Sequence, residues 1–128
     1  MVKFLLMISA DMEKLTNLQP EAGVNDANFL YSFKCKLCAK SGTVTMVRDS
    51  GRPLSLADSK AREFAPLMLF DCRGYEPLDF VYGRGWKAES LKGREIGNID
   101  LSNHLFEQHD EEGNNVRIGH PRAKFEVK

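Results

Sequence analysis

Two thiols two residues apart, in Lys34-Cys35-Lys36-Leu37-Cys38-Ala39-Lys40-Ser41-Gly42, are the sharpest chemical signal in this chain. A Cys-x-x-Cys turn can chelate one zinc ion, because backbone N–H groups turn toward the sulfurs and neighbouring lysines favour the thiolate. A structural zinc site takes four ligands, and the other candidates are Cys72, His104, His109 and His120. His104 and His109 have the separation of the second half of a two-Cys two-His finger. They begin 66 positions beyond Cys38, where a finger has a dozen or so, so that finger is rejected. A redox role for Cys35 and Cys38 is the competing chemistry. It asks for a helix N-terminus beside a βαβ unit, and the residues after Cys38 are strand-like. Cys72, inside the apolar run Leu67 to Phe70 and its continuation, reads as a small buried hydrophobe. No signature around the three cysteines suggests a cysteine nucleophile with its histidine, so no enzyme is expected. Gly83-Arg84-Gly85-Trp86-Lys87-Ala88 spells Gly-x-Gly-x-x-Ala. The dinucleotide fingerprint needs a strand before it and a helix after it, and Gly93 and Gly97 follow too soon. Trp86 reads as cover for a core edge.

The elements that must position these residues are mostly strands. Val2, Phe4, Leu6 and Ile8 alternate with Lys3 and Ser9, predicting a first strand over Val2 to Met12; the shortness of the run and the prompt Asp11 and Glu13 favour that over a signal peptide. Thr16 to Asp26 reads as a turn-rich connector, and Phe29 to Lys34 as a second strand running into Cys35. Thr43 to Val47 is a third strand, and Asp49 to Pro53 a turn. Leu54 to Phe64 is the one helical candidate, with Ser55 and Asp58 at capping-box separation. Leu67 to Cys72 is an apolar strand. Gly74 to Gly97, with its glycines, is expected to be loops around a short strand at Leu78 to Tyr82. Val116 to Ile118 and Lys124 to Val127 complete the list, separated by Gly119 and Pro121. The pattern predicts an all-β, antiparallel domain over residues 1–128 with at most one short helix.

Composition narrows the function classes. The 128 residues carry 18 basic against 18 acidic side chains, which removes the charge expected of a dedicated nucleic-acid or polybasic membrane binder. Charge is uneven locally: residues 34–62 are basic in excess, and Glu107, Asp110, Glu111 and Glu112 are acidic, read as two solvated surfaces. Three cysteines are too few and odd in number for a disulfide framework, so a reducing cytoplasmic address is expected, with the nucleus also open to the chain. No stretch reaches the roughly 18 apolar residues of a membrane span.

Longer motifs carry a resemblance. Leu15-Thr16-Asn17-Leu18-Gln19-Pro20, the block Phe70-Asp71-Cys72-Arg73-Gly74-Tyr75-Glu76-Pro77-Leu78-Asp79-Phe80, Gly85-Trp86-Lys87-Ala88-Glu89 and Asn98-Ile99-Asp100-Leu101 together resemble the eukaryotic CXXC motif containing zinc binding protein family. The resemblance implies a two-lobed β sandwich or barrel in which two Cys-x-x-Cys pairs converge on one zinc ion. Here Phe33-Lys34-Cys35 looks like the lead into the first pair, and Cys35 to Lys40 looks like the second. An insert of about 30 residues between them is lacking, so the N-terminal lobe is expected to be truncated. Cys35 and Cys38 would then be the metal ligands left of a four-thiolate site in a structural or protein-interaction module. Its partner would be an unidentified protein, or a second copy sharing zinc or pairing along an open edge near Phe29 to Phe33. The alternatives are a thiol redox or metal-handover protein, and a truncated variant without function.

Overall fold

Alternation over the first dozen residues produces the strand that organises the molecule. A computed structural model describes residues 2–21, 23, 32–35, 43–47, 51–73, 77–110 and 112–128. In it β1 (Val2–Glu13) is a central strand with Phe4, Leu6, Ile8, Ala10 and Met12 buried on one face, as period-two patterning requires. On one side β1 pairs with β5 (Ala65–Arg73), which pairs with β4 (Thr43–Val47). On the other it pairs with β10 (Asn115–Val127), which pairs with β9 (Leu105–His109). A second sheet runs β2 (Leu15–Pro20), β7 (Trp86–Ser90), β8 (Glu95–Ile99). A two-stranded ribbon joins β3 (Ser32–Cys35) to β6 (Pro77–Val81). Every pairing is antiparallel. The expected all-β architecture is what the chain adopts, with one short helix among the described residues.

That helix, α1 (Leu56–Ala61), is shorter than the sequence reading. Ser55 and Asp58 form the expected capping box, with the Asp58 amide donating to Ser55 Oγ and the Ser55 amide to Asp58 Oδ2. Arg62 ends it in the left-handed region at φ 57°. Leu54 is drawn out of the helix because its amide and carbonyl pair with Leu18 at 3.0 and 2.9 Å.

Four local readings are corrected, and bulges explain two of them. Thr16 to Pro20, read as connector, belongs to β2. Asn17 takes φ 57° at a register shift between Thr16 and Gln19, so a turn-type residue sits inside a bulged strand and frees Leu18 for Leu54. Gly83 to Gly97, read largely as loop, holds the β7–β8 hairpin, whose glycine marks the turn: Gly93 has φ 87° and donates to the Ser90 carbonyl. The two strands expected at the C-terminus are one. Between Ser9 and Asp11 the register with β10 shifts, and His120, at φ 48°, and Pro121 face Ala10, where a proline costs no ladder bond. The polar sequence of β9 gave no strand signal because it lies at a sheet edge with most side chains exposed.

One hydrophobic core joins the two larger sheets. Trp86, expected at a core edge, is instead fully buried, with its indole N–H donating to the Tyr82 carbonyl at 2.8 Å and its ring 5.2 Å from that of Tyr82 and 6.2 Å from that of Phe80. Burial pushes the Tyr82 phenol above its usual range, and its hydroxyl donates to the Arg122 carbonyl at 2.6 Å. Gly51 has a packing role as well: a Cβ there would lie 1.9 Å from the Leu67 carbonyl oxygen, at the bulge where β5 carries one residue more than β1.

Candidate metal centre

Cys35 is the last residue of β3, and the ribbon sets its backbone against that of β6. Ser32, Phe33 and Lys34 face Val81, Phe80 and Asp79 in turn. A register shift then leaves Leu78 as the extra residue and sets Cys35 opposite Pro77. Cys38 lies outside the described residues. Cys72 lies in β5, its backbone between Val2 and Val44, in a different sheet from Cys35.

The histidines are dispersed. His104 follows Leu101 in a turn at φ 62° just before β9, and His109 ends the same strand; both are exposed. His120 occupies the β10 bulge, with Nδ1 3.1 Å from Asp11 Oδ2. Among the described residues no three His, Cys, Asp or Glu side chains gather where one ion could touch them. The three histidines, by contrast with Cys35, lie in or beside the five-stranded sheet.

A polar cluster that the sequence reading missed surrounds that bulge. Arg122 Nη2 donates to Ser9 Oγ at 3.1 Å and to Asp11 Oδ1 at 3.2 Å, while His120 holds the other Asp11 oxygen. Burial acts to raise the Asp11 carboxyl, and the hydrogen bonds and charges of Arg122 and His120 outweigh it, leaving the group below its ordinary range. Serine, histidine and aspartate meet here without the geometry of nucleophilic catalysis, since Ser9 Oγ is buried and held by Arg122 and not by His120. The cluster clamps the irregular crossing of β1 and β10. Only the strand register brings these residues together, 113 positions apart in the case of Ser9 and Arg122, so no spacing in the sequence could show it.

The dinucleotide reading fails on context, as expected: Trp86 to Ser90, which would open the helix, is strand β7. Of the two charged stretches, the acidic one is partly neutralised, with Glu112 in an ion pair with Lys92. In the basic one Arg52 makes a two-pronged contact with Asp58 at 2.6 and 3.1 Å. No helix is long and apolar enough to cross a membrane among the described residues.

Comparison with known proteins adds what the geometry leaves open. A UPF0587 protein of Drosophila melanogaster is 34% identical over 103 residues, which cover 79% of this chain and 62% of that one. A CXXC motif containing zinc binding protein of Xenopus laevis is 26% identical over 146 aligned positions, covering 87% of this chain and 89% of its own. Since 87% of 128 residues is about 111, about 35 of those positions face no residue here, close to the size of the lacking insert. The crystal structure of C1orf123 superposes with a TM-score of 0.76 at 23% identity, over 96% of this chain and 98% of that one, which shows the shared fold. The chain spans about 40 to 60% of the length of most curated relatives that it matches. The family description "CXXC motif containing zinc binding protein, eukaryotic" matches residues 25–126, and the chain belongs to that family.

Proposed function

We propose that this chain is a non-enzymatic zinc-binding β protein whose Cys35 and Cys38 form an incomplete site, serving as a structural or protein-interaction module in the cytoplasm. The observation that carries the reading is a single Cys-x-x-Cys at the end of a short ribbon, in a family named for zinc and the CXXC motif. Two thiolates leave two positions of a tetrahedral ion to water, so a monomer binds zinc far more weakly than a closed four-thiolate site does. Two chains that share one ion close the shell with four thiolates. Zinc bound in this way supplies a cross-link and no reaction step, and Cys35 and Cys38 are the residues that would hold it.

Native mass spectrometry of the zinc-titrated chain, with a chromophoric chelator as competitor, tests this reading. The expected result is weak binding by the monomer or one zinc per dimer, lost in Cys35→Ser with Cys38→Ser. One tightly held zinc per monomer that survives the double substitution would overturn the assignment. Reversible disulfide formation by a thiol of pKa well below 8 would favour the redox or metal-handover reading instead.

A further inference from the structure

Edge strands are where a β protein either blocks or invites pairing, and the edges of this molecule are treated differently. In the three-stranded sheet, β2 is bulged at Asn17 and ends in Pro20. Its other edge, β8, carries an extra residue at Gly97 and Asn98, with Asn98 at φ 54° and its amide taken by Glu21 Oε1 at 3.0 Å. These are the usual blocking devices. Strand β9 has none of them. It pairs with β10 through five consecutive residues without a register shift, contains no proline or lysine, and has no strand on its outer side among the described residues. Beside its end, a cleft of about 280 Å³ separates Gln108 to Asp110 from Arg94 to Gly97.

The charge pattern says what that edge would accept. Glu13 of β1 lies opposite Arg117 of β10, with 3.8 Å between their charged atoms, and Arg117 in turn lies opposite Glu107 of β9. The row reads negative, positive, negative and ends at the edge. Glu107 makes no ion pair or hydrogen bond through its side chain among the described residues. Two residues along the same strand, and so on the same face, Leu105 is 42% exposed. An added strand with a basic residue beside Glu107 and an apolar one beside Leu105 would extend the row and cover the leucine. A second copy pairing β9 with β9 about its centre sets Glu107 against Glu107, which is unfavourable.

We propose that the outer edge of β9 is a docking site for an extended segment of a partner protein in which apolar and basic residues alternate on one face. The segment joins the five-stranded sheet as a sixth strand. The proposal uses neither Cys35 nor Cys38 and does not depend on the zinc reading.

The test uses the full chain, and in parallel the Cys35→Ser, Cys38→Ser form. The probe is a fluorescein-labelled nine-residue peptide with leucine and lysine alternating at odd positions and threonine at even ones. Controls replace lysine by glutamate, or gather the leucines and lysines into two blocks. Fluorescence anisotropy should show the alternating lysine peptide binding about fivefold tighter than either control. Hydrogen exchange should slow at alternate amides of Leu105 to His109. Glu107→Lys, an exposed change that leaves the fold intact, should reverse the preference toward the glutamate peptide. Equal binding of all three peptides overturns the proposal, as does protection elsewhere in the chain. Protection of β9 that grows with protein concentration in the absence of peptide also overturns it, because a second copy then occupies the edge. Loss of zinc binding with peptide binding retained in the double cysteine variant separates this site from the metal reading.

Discussion

The strands around Trp86 and the ribbon that carries Cys35 are built on different scales. β1 and β10 have 12 and 13 residues and enclose, with β5 and β7, a core in which Trp86, Phe70, Leu6 and Ile8 are fully buried. Among the described residues β3 has four residues, pairs with β6 alone, and breaks register at the cysteine itself. A two-stranded ribbon is marginal on its own and draws its stability from what it packs on. In this chain the cysteine pair for which the family is named and most of the largest buried side chains therefore lie on different segments, with Phe80 of β6, packed against Trp86, as the link between them.

That separation is strongest if damage to the core is much more costly than loss of the thiols. Trp86→Ala removes a fully buried indole and its hydrogen bond to Tyr82, and is expected to cost about 3–5 kcal/mol in urea unfolding. A cost below about 1 kcal/mol would show that the core is not centred on this residue.

Acid should reach the α1 segment next. Asp58, 11% exposed at its side chain, is held at about 2, below its ordinary 3.8, first by the Arg52 guanidinium and then by Ser55, against the opposing effect of burial. A carboxyl lowered on folding contributes stability that is present above pH 3.8 and lost as pH falls through about 2. With Arg52 half exposed, that contribution is about 1–2 kcal/mol. Asp58→Asn should remove it at pH 6 and flatten the loss between pH 5 and 2, measured by denaturant unfolding at each pH. Tyr82→Phe, which deletes the hydroxyl that ties β10 to the core, should cost about 1 kcal/mol. The smallest effect is expected for Cys35→Ser with Cys38→Ser, within about 0.5 kcal/mol in the absence of zinc, because an incomplete chelate does not tie distant segments together. A loss as large as that of Trp86→Ala would erase the contrast and make the ribbon part of the folding core.

Period-two alternation and local capping chemistry were legible in the residues, and they are local properties. Phe4, Leu6 and Ile8 announce β1, Thr43 to Val47 is β4 as read, and Ser55 with Asp58 marks the start of α1. The Cys-x-x-Cys pair and the Cys-Arg-Gly block were likewise visible and led to the family. The β7–β8 hairpin and β2 were hidden because glycine and asparagine serve both loops and bulges, and only a partner strand decides between the two. Phe29 to Tyr31, with the open edge expected there, and Cys38 lie outside the described residues.

By itself, then, the sequence determined which segments must be strands with one buried face, where the single helix is capped, and which two thiols could hold a metal. Tertiary structure alone decided that His120, Arg122, Asp11 and Ser9 meet at one bulge, that Trp86 is central to the core, and that β9 is left at an edge with Glu107 ending a row of alternating charge. The physical reason is range. Alternation and caps act over a few residues, whereas register, edge position and cross-strand charge depend on which distant strand becomes the neighbour, and that is set by burying all the apolar faces at once.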